Sequence, residues 1–258
     1  MLTTDERARV VVVLVATRNS LNIGAAARAM SNFGFETLRL VRPWEPSFEE
    51  AREAAEPAAV GAKGVLQEAK VYAAVAEAVA DCTLVIGTTA VTADGRRDLV
   101  HPLDRLDESA KRVSEHLATP DSRVAILFGS EKTGLTNDYL THCHRLLRIP
   151  TRREHISMNL GQAVGICMYE LGAHGEAPED ATASAGEAPA ASGEVERLTE
   201  MLIEVLQRSG YITPGAEDAT EAKLRRTLRR MPLSRHDAHL ALGMARQVLW
   251  RLRPRAEG

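Results

Sequence analysis

Cysteine is scarce in this chain of 258 residues, which holds only Cys82, Cys143 and Cys167. Three widely spaced thiols cannot form a disulfide framework, so we expect them to be free in a reducing cytoplasm. Long apolar runs are absent too, because the longest spans residues 10–16 and a membrane helix needs roughly 18 residues. The basic start and longer apolar stretch of a signal peptide are also missing, so the sequence predicts neither secretion nor a membrane span.

The chain lacks a strong excess of either charge, with 32 Lys and Arg against 35 Asp and Glu and a net charge of -3. This total hides an uneven distribution. Residues 223–258 hold ten basic and two acidic side chains, so this tail carries +8 and the other 222 residues carry -11. Such asymmetry predicts contact with a nucleic acid or with a membrane surface.

Within residues 1–172, short apolar runs alternate with helical patterns, which predicts an α/β fold with a mostly parallel sheet. The predicted strands cover residues 10–16, 37–41, 70–72, 82–88, 123–128 and 146–149. The predicted helices cover residues 23–33, 48–55, 73–80, 103–118 and 159–171.

Residues 173–193 contain no Val, Ile, Leu, Met or aromatic residue, so we expect a flexible acidic linker that buries no surface. Residues 194–258 then predict a small helical appendage. Its expected features are a first helix that ends at Gly210, further helices over residues 220–231 and 235–252, and caps at Ser192 and Ser234.

The segment that joins the first predicted strand to the first predicted helix carries candidate binding residues, because ligands bind at the carboxyl ends of parallel strands. Asn22 suits the N-cap of that helix. Arg28 lies further along, among small and apolar residues. It fits either a structural ion pair or a phosphate contact, since a guanidinium matches the geometry of a phosphate.

Two later segments also follow predicted strands. In the first, two glycines flank four residues as in a phosphate-binding P-loop, but Leu135 stands where that motif requires Lys, which argues against an NTPase. Glu131 is then an acid on a surface turn. In the second, Ser157 and Asn159 stand at the start of a predicted helix, where they serve either as caps or as part of an anion site.

Several common catalytic motifs are missing. No Gly-x-Gly-x-x-Gly follows the first predicted strand, and no Gly-x-Ser-x-Gly occurs, which argues against a dinucleotide-binding fold and a serine hydrolase. His142, Cys143 and His144 are consecutive, so they cannot all face one ion, and no second Cys/His pair completes a zinc site. We therefore expect no bound metal.

Three of these segments together resemble the motifs of the SPOUT-class (SpoU-type) RNA 2'-O-ribose methyltransferases. They read Asn22-x-Gly24-Ala25-Ala26-Ala27-Arg28, then Phe128-Gly129-x-Glu131-x-x-Gly134-Leu135, then Ile149-Pro150 followed by Ser157-Met158-Asn159-Leu160. Three such motifs in this order are specific, and the resemblance covers residues 10–172. In the tail, Lys223-Leu224-Arg225-Arg226 and Gly243-Met244-Ala245-Arg246-Gln247 are similar to the C-terminal extension of the TrmJ-type tRNA methyltransferases.

The resemblance implies an α/β domain with a trefoil knot near its C-terminal end, and a homodimer in which the partner subunit completes each site. It implies that the cofactor is S-adenosylmethionine. It also implies that the substrate is tRNA, which is methylated on the ribose at position 32 of the anticodon loop. The basic extension would bind the tRNA. The implied cofactor-binding residues are Thr88, Thr89, Ala90, Gly129, Ile149, Ile156, Ser157 and Met158. Many relatives carry Leu at position 158, and this apolar swap is mild.

The same resemblance implies an essential catalytic role for Arg28 and places Asn22, Glu131 and Asn159 at the same site. From this we expect catalysis by Arg28, Ser157 and Asn159, and substrate binding by Asn22, Arg28 and Glu131. Arginine is a poor base because its pKa exceeds about 12. We therefore expect Arg28 to hold the target phosphate and to polarise the ribose hydroxyl, with Ser157 or Asn159 assisting. Two alternatives stay open, namely the same chemistry on ribosomal RNA or at another tRNA position, and a non-catalytic RNA-binding protein on the same fold.

Overall fold

A parallel sheet forms the centre of the fold. The structure, a computed structural model, describes residues 2–43, 53, 62–90, 101–152, 154–173, 188–213 and 215–252. The strands are β1 (Val10–Val15), β2 (Thr37–Val41), β3 (Lys70–Tyr72), β4 (Leu84–Thr88), β5 (Leu103–Arg105), β6 (Val124–Phe128) and β7 (Arg145–Arg148). They pair in parallel in the order β3-β2-β1-β6-β4-β7-β5. The predicted α/β architecture with a mostly parallel sheet is confirmed.

Helices alternate with these strands and continue after them. They are α1 (Thr4–Ala8), α2 (Ser20–Asn32), α3 (Lys63–Gln67), α4 (Val75–Ala78), α5 (Leu106–Leu117), α6 (Asn137–Leu140), α7 (Leu160–Ala173), α8 (Ser192–Arg208), α9 (Glu217–Arg230) and α10 (Arg235–Arg251). The short helices α1, α3 and α6 were not predicted from the sequence. The predicted helix over residues 48–55 lies outside the described residues, apart from residue 53.

The prediction of one continuous helix over residues 103–118 is wrong at its start, where β5 precedes α5. Asp104 is buried in β5, and its carboxylate accepts a hydrogen bond of 2.6 Å from Nη2 of Arg145 in the neighbouring β7. This pairing across the sheet favours an extended backbone, and such a tertiary contact overrides the local helical pattern.

The two central strands are buried because helices cover both faces of the sheet. Every residue of β1 and β6 is buried. Alternate side chains of a strand point to opposite faces, so Val12 and Leu14 join one core with α2, α5 and α7. Val11 and Val13 join a second core with α4 and α6 on the other face.

Helices α2 and α7 lie against each other at close range. A Cβ atom placed on Gly161 would lie 2.7 Å from the Cβ of Ala25, whereas one on Gly165 would lie at an ordinary 3.6 Å from that of Ala29. Small residues therefore permit this approach. It brings the amino-terminal ends of the two helices side by side at the carboxyl edge of the sheet.

The predicted linker is wrong in its last part. Residues 174–187 lie outside the described residues, but Ala190 and Ser192 are buried. The Ser192 and Gly193 amides each donate a 2.7 Å hydrogen bond, to the carbonyls of Cys82 and Ala80 respectively. Residues 188–193 thus dock onto the α/β domain through backbone hydrogen bonds, which do not depend on apolar side chains.

Helix α8 packs against both α9 and α10 and also contacts α4 of the α/β domain. The N-cap of α8 is Ala191, whose amide donates to Glu194 at 2.8 Å, so the predicted cap at Ser192 is wrong. The predicted cap at Ser234 is confirmed, because its Oγ accepts from the Asp237 amide at 3.0 Å.

The helices of the described residues are too short or too polar for any of them to span a membrane.

Candidate active site

A pocket of about 310 Å³ opens where β4, β6 and β7 end at the carboxyl edge of the sheet. All eight residues that the resemblance assigns to the cofactor line it, namely Thr88, Thr89, Ala90, Gly129, Ile149, Ile156, Ser157 and Met158. They come from three loops that are distant in sequence. The strand order therefore brings the segments that follow β4, β6 and β7 to one cavity, and the role of these residues in cofactor binding stays a prediction.

The loop after β6 forms one wall of the pocket, and two of its positions require glycine for steric reasons. The Gly134 amide donates to the Ser130 carbonyl at 2.8 Å, and Gly134 has a φ of 65°, which favours glycine. A Cβ on Gly129 would lie 2.1 Å from the carbonyl carbon of Gly134. Gly129 and Gly134, whose spacing resembles a P-loop, therefore serve to close a tight turn. Glu131 projects from that turn.

A chain of hydrogen bonds joins the three motif segments beside the pocket. Nδ2 of Asn22 donates to Oε1 of Glu131 at 2.8 Å, and Nδ2 of Asn159 donates to Oδ1 of Asn22 at 3.0 Å. Oδ1 of Asn159 accepts from the Gly161 amide at 2.9 Å. A backbone amide at one end can only donate and a carboxylate at the other end only accepts, so both asparagine side chains have one possible orientation.

Glu131 is held as a carboxylate by three donors. Besides Asn22, the amides of Arg18 and Asn19 donate to it at 3.1 and 3.3 Å. Partial burial acts to raise the pKa of Glu131, but these hydrogen bonds outweigh it and lower the pKa below the ordinary value. Such a carboxylate is a weak base, so it suits a positioning role better than proton abstraction.

The prediction that Asn22 caps the first helix is wrong. The helix begins at Ser20, and its N-cap is Asn19, whose Oδ1 accepts from the Leu21 amide at 2.9 Å. Asn22 lies in the first turn, so its side chain is available for Glu131 and Asn159. Asn159 does cap its own helix, α7, as the sequence suggests.

Arg28 lies apart from the pocket. It is exposed, it does not line the cavity, and within the described part of the chain it has no hydrogen bond or ion pair. It shares the outward face of α2 with Leu21 and Ala25, because positions i, i+4 and i+7 lie on one side of a helix. The structural ion pair that the sequence left open for Arg28 is thus not formed among the described residues.

Several pocket residues were missed by the sequence analysis. They include Lys132, Thr133, Leu147, Thr151, Leu160 and Ala163. Each lies within or next to one of the motif segments, so a lining role follows once the strand ends are brought together. Spacing along the sequence alone does not show which side chains of a loop face inward.

The consecutive residues 142–144 have structural contacts. Nδ1 of His144 accepts from the Val85 amide at 2.9 Å, and the Cys143 thiol is buried against Gly87, where a Cβ would lie 2.7 Å from Sγ. Burial lowers the pKa of His144 to about 3, so its ring is neutral at pH 7. The described residues contain no group of three or more His, Cys, Asp or Glu that could hold a metal ion.

The sequence profile of the SpoU rRNA Methylase family matches residues 9–169. The tRNA (cytidine/uridine-2'-O-)-methyltransferase TrmJ of Cronobacter sakazakii is 35% identical over 242 residues, which cover 92% of this chain and 94% of that protein. TrmJ of Sodalis glossinidius is 32% identical and covers 92% of this chain and 90% of its own length. The crystal structure of TrmJ from Z. mobilis ZM4 superposes with a TM-score of 0.78 at 33% identity, covering 93% of this chain and 98% of that one. The chain therefore belongs to the SpoU rRNA methylase family and is similar over nearly its whole length to the TrmJ-type tRNA methyltransferases.

Proposed function

We propose that this protein transfers a methyl group from S-adenosylmethionine to a ribose 2'-hydroxyl of tRNA, at position 32 of the anticodon loop. The observation that carries the proposal is the coincidence of two features at one sheet edge. All eight implied cofactor residues line one pocket, and the Glu131–Asn22–Asn159 chain connects the motif segments next to it. The names of the TrmJ relatives support tRNA as the substrate.

The pocket combines apolar walls with polar groups, as a nucleoside cofactor such as S-adenosylmethionine requires. Its volume of about 310 Å³ lies at the lower end of the range for small-molecule sites. Ile149, Met158 and Leu160 provide apolar walls, whereas Thr89 and Ser130 provide polar groups. S-adenosylmethionine supplies an electrophilic methyl group on a sulfonium, and the loops after β4, β6 and β7 would hold it.

The residues of this chain then have to place the ribose oxygen and assist the loss of its proton. When bound, the cofactor would supply the methyl group for the new oxygen–carbon bond and would leave as a neutral thioether, and the hydroxyl proton would pass to solvent water beside the exposed Ser157. Ser157 lies exposed at the pocket rim, where its hydroxyl can contact the ribose. Arg28 would hold the adjacent phosphate and polarise the hydroxyl, because a guanidinium can donate two parallel hydrogen bonds to a phosphate. Alignment of the reacting atoms would supply much of the rate enhancement.

A second copy of the chain would bring Arg28 to the pocket. The outer faces of α2 and α7 expose Leu21, Ile166 and Tyr169, by 64%, 37% and 57%. Phe33 and Tyr169 meet edge to face at a centroid distance of 5.8 Å, so the apolar face continues from one helix to the other. Dimerisation across this face would cover it and carry Arg28 to the partner's site. The resemblance supports this arrangement, as it does a trefoil knot, and the scarcity of cysteine supports a cytoplasmic location.

The C-terminal helices would bind the tRNA backbone. Arg246 and Arg251 are exposed on α10, on a part of the chain that is rich in basic residues. Replacing each by Ala should weaken tRNA binding and lower the slope of affinity against salt by about one per arginine. Filter binding at several salt concentrations measures this effect, and Lys111→Ala on α5 is the control. S-adenosylmethionine affinity should not change.

Ribose-methylation mapping tests the activity. Purified protein, S-adenosylmethionine and an unmodified tRNA transcript should give one 2'-O-methyl group, located by mass spectrometry at nucleotide 32. A 2'-O-methyl group at another nucleotide would contradict the proposed position 32 but would support the proposed methyl transfer to ribose. The SpoU family takes its name from ribosomal RNA methylation, so ribosomal RNA is the competing substrate to include in the assay. Cofactor binding without methylation of either RNA would favour the non-catalytic RNA-binding alternative.

A further inference from the structure

The last helix, α10, has apolar side chains on two opposite sides. On its inner side, Ala238 and Leu242 are buried in the core that α10 shares with α8 and α9. On its outer side, Leu240, Met244 and Val248 are exposed by 52%, 58% and 44%. These three residues are spaced by four and form one row along the helix, the outer stripe. A helix that covers a single core needs one apolar side, so the outer stripe indicates a second packing partner.

Opposite charges stand at the two ends of the outer stripe. Asp237 and Arg251 lie on the same side of α10 as Met244, because residues seven apart are separated by two turns of a helix. Both are exposed, and neither forms an ion pair with another of the described residues. Hydrogen bonds from the hydroxyl and the amide of Ser234 lower the pKa of Asp237, so it is a carboxylate at pH 7. The outer stripe is therefore negative at one end and positive at the other.

The outer stripe and its flanking charges are symmetric about Met244. Leu240 and Val248 lie four residues to either side of it, and Asp237 and Arg251 lie seven residues, or about 10 Å, to either side. If a second α10 runs antiparallel with the two-fold axis at Met244, Leu240 packs against Val248 of the partner subunit. Asp237 then lies opposite Arg251 of the partner subunit. In a parallel pair Asp237 would lie opposite Asp237 of the partner subunit, so the charges select the antiparallel arrangement.

The other charged side chains of α10 do not oppose this pairing. Nε of Arg235 and Nε2 of His239 lie 3.9 and 2.9 Å from Oε1 of Glu194 in α8. Arg246 points about 160° away from the outer stripe, since successive residues turn by about 100°. His236 lies at the edge of the stripe, where its counterpart in an antiparallel pair is uncharged. Among the residues of α10, no two like charges therefore lie directly opposite each other, and the helix is complementary to itself.

We propose that the outer stripe docks onto α10 of a second copy of this chain, antiparallel and with the two-fold axis at Met244. Such a contact is isologous, so one surface serves both copies and the contact closes. It involves neither α2 nor α7, and it stands apart from the dimer proposed across those helices. It also goes beyond the proposed function, because it requires neither cofactor nor RNA. Arg251 has five N–H donors, so its ion pair with the partner leaves donors for a phosphate.

A thiol at the proposed axis tests the contact directly in the full-length chain, without cofactor or RNA. The natural cysteines, Cys82, Cys143 and Cys167, are buried, so an exposed introduced thiol is the one that reacts. Two copies of Met244→Cys would bring their thiols face to face, within the distance of a disulfide. The thiols of Arg246→Cys, on the far side of the same helix, would point apart. Met244 and Arg246 are both exposed, so neither change disturbs the core.

Oxidation should separate the two variants. With dissolved oxygen and copper phenanthroline at about pH 8, where more of each thiol is thiolate, Met244→Cys should form disulfide-linked dimers at least about tenfold faster than Arg246→Cys. The parent chain should form none, because its thiols are buried. Cooperative thermal unfolding of each variant shows that it is folded.

Charge reversal tests the antiparallel register. In the Met244→Cys chain, Asp237→Lys or Arg251→Glu alone places like charges opposite each other, and each should slow the cross-linking by about fivefold or more. The two reversals together should restore the rate to within about twofold, because the charges attract again across the axis. Asp237→Lys also removes the cap contact with Ser234, but the combined variant lacks it too. Positions 237 and 251 are about 21 Å apart within one helix, so the recovery can come only from pairing between copies.

Equal cross-linking of Met244→Cys and Arg246→Cys would overturn the proposal. So would a combined charge reversal that reacts as slowly as the single ones. If tRNA or anionic lipid vesicles protect the Met244→Cys thiol from a maleimide while no cross-link forms without them, RNA or lipid occupies the stripe and the proposal is overturned as well. The cross-linking rates are measured without methyl transfer, so a failure of the proposed function would leave them unchanged.

Discussion

Asn22 lies between a carboxylate and an amide, so its replacement by Asp would place one carboxylate against another. An acidic residue in the first turn of a helix normally stabilises the fold by about 0.3–1 kcal/mol. For Asn22→Asp we expect the opposite sign, a loss of about 1–3 kcal/mol, because Glu131 loses a donor and gains a like charge. Urea unfolding at pH 7 measures the difference, with Asn137→Asp, at an exposed position in the first turn of α6, as the control. A more stable Asn22→Asp protein would contradict the energetic weight given to this hydrogen-bond chain.

Glu131 makes stability depend on pH. Partial burial opposes the shift, but the hydrogen bonds from Asn22, Arg18 and Asn19 lower the pKa of Glu131 below its ordinary value of 4.5. A carboxylate with a lower pKa in the folded protein stabilises the fold above the unfolded pKa, and this contribution is lost as the pH falls. We expect Glu131→Gln to be less stable than the parent at pH 7, with the gap closing below pH 4.5. Unfolding free energies over this range measure the gap, which would stay constant if the carboxylate charge had no role.

Single residues show how far sequence reasoning reaches at this site. The motifs identify Asn22, Glu131 and Asn159 as site residues, and the structure joins them by hydrogen bonds. The motifs do not show which of Asn19 and Asn22 caps α2, because both are good capping residues. That choice depends on the turn before the helix, where Ala16 has a φ of 53°. Such a backbone conformation is not readable from residue type.

At the scale of elements, the contact between α2 and α7 offers two glycines that differ in the space beside them. A methyl group at Gly161 would lie 2.7 Å from Ala25, whereas one at Gly165 has an ordinary 3.6 Å contact. Gly165→Ala should stabilise the helix by up to about 1 kcal/mol, because alanine is the better helix former. We expect Gly161→Ala to destabilise by about 1–3 kcal/mol, since the helices must separate.

The separation of the helices should also reach the active site. Gly161 donates to Asn159, which in turn donates to Asn22 across the same contact. Gly161→Ala should therefore lower the methylation rate as well as stability, whereas Gly165→Ala should leave the rate unchanged. Unfolding free energy and initial rates on the same preparations measure both effects. A similar response of the two variants would show that the close approach is not required.

The elements that the sequence mispredicts are those determined by distant partners. Residues 103–105 have a helical pattern but form a strand, because Asp104 pairs with Arg145 across the sheet. Residues 188–193 have no large apolar side chain but dock through the Ser192 and Gly193 amides. Within the described residues, the long apolar strands and the longer amphipathic helices were otherwise predicted correctly within a few residues, since their burial is encoded by their own periodicity.

At the scale of the whole molecule, the folded structure directs only part of the tail's positive charge toward solvent. Two of its ten basic residues, Arg225 and Arg229, point inward and pair with Glu196. The outward charge available to tRNA is therefore smaller than +8, and part of the basic composition stabilises the docking of the C-terminal helices. Composition gives the sum of charges, and only the packing shows which of them face the solvent.

In the dimer proposed across α2 and α7, Arg28 of each subunit must serve the pocket of the other subunit. In a heterodimer of Arg28→Ala and Ser157→Ala chains, the pocket of the Arg28→Ala chain keeps Ser157 and receives the intact arginine of its partner. The other pocket carries both defects. Equal mixing of two inactive variants should thus restore about a quarter of the parent rate, because half the dimers are mixed and each has one intact site. Methylation measured after refolding the two variants together, against each variant refolded alone, tests this; if Arg28 served its own subunit, every site would carry at least one defect and no activity would return.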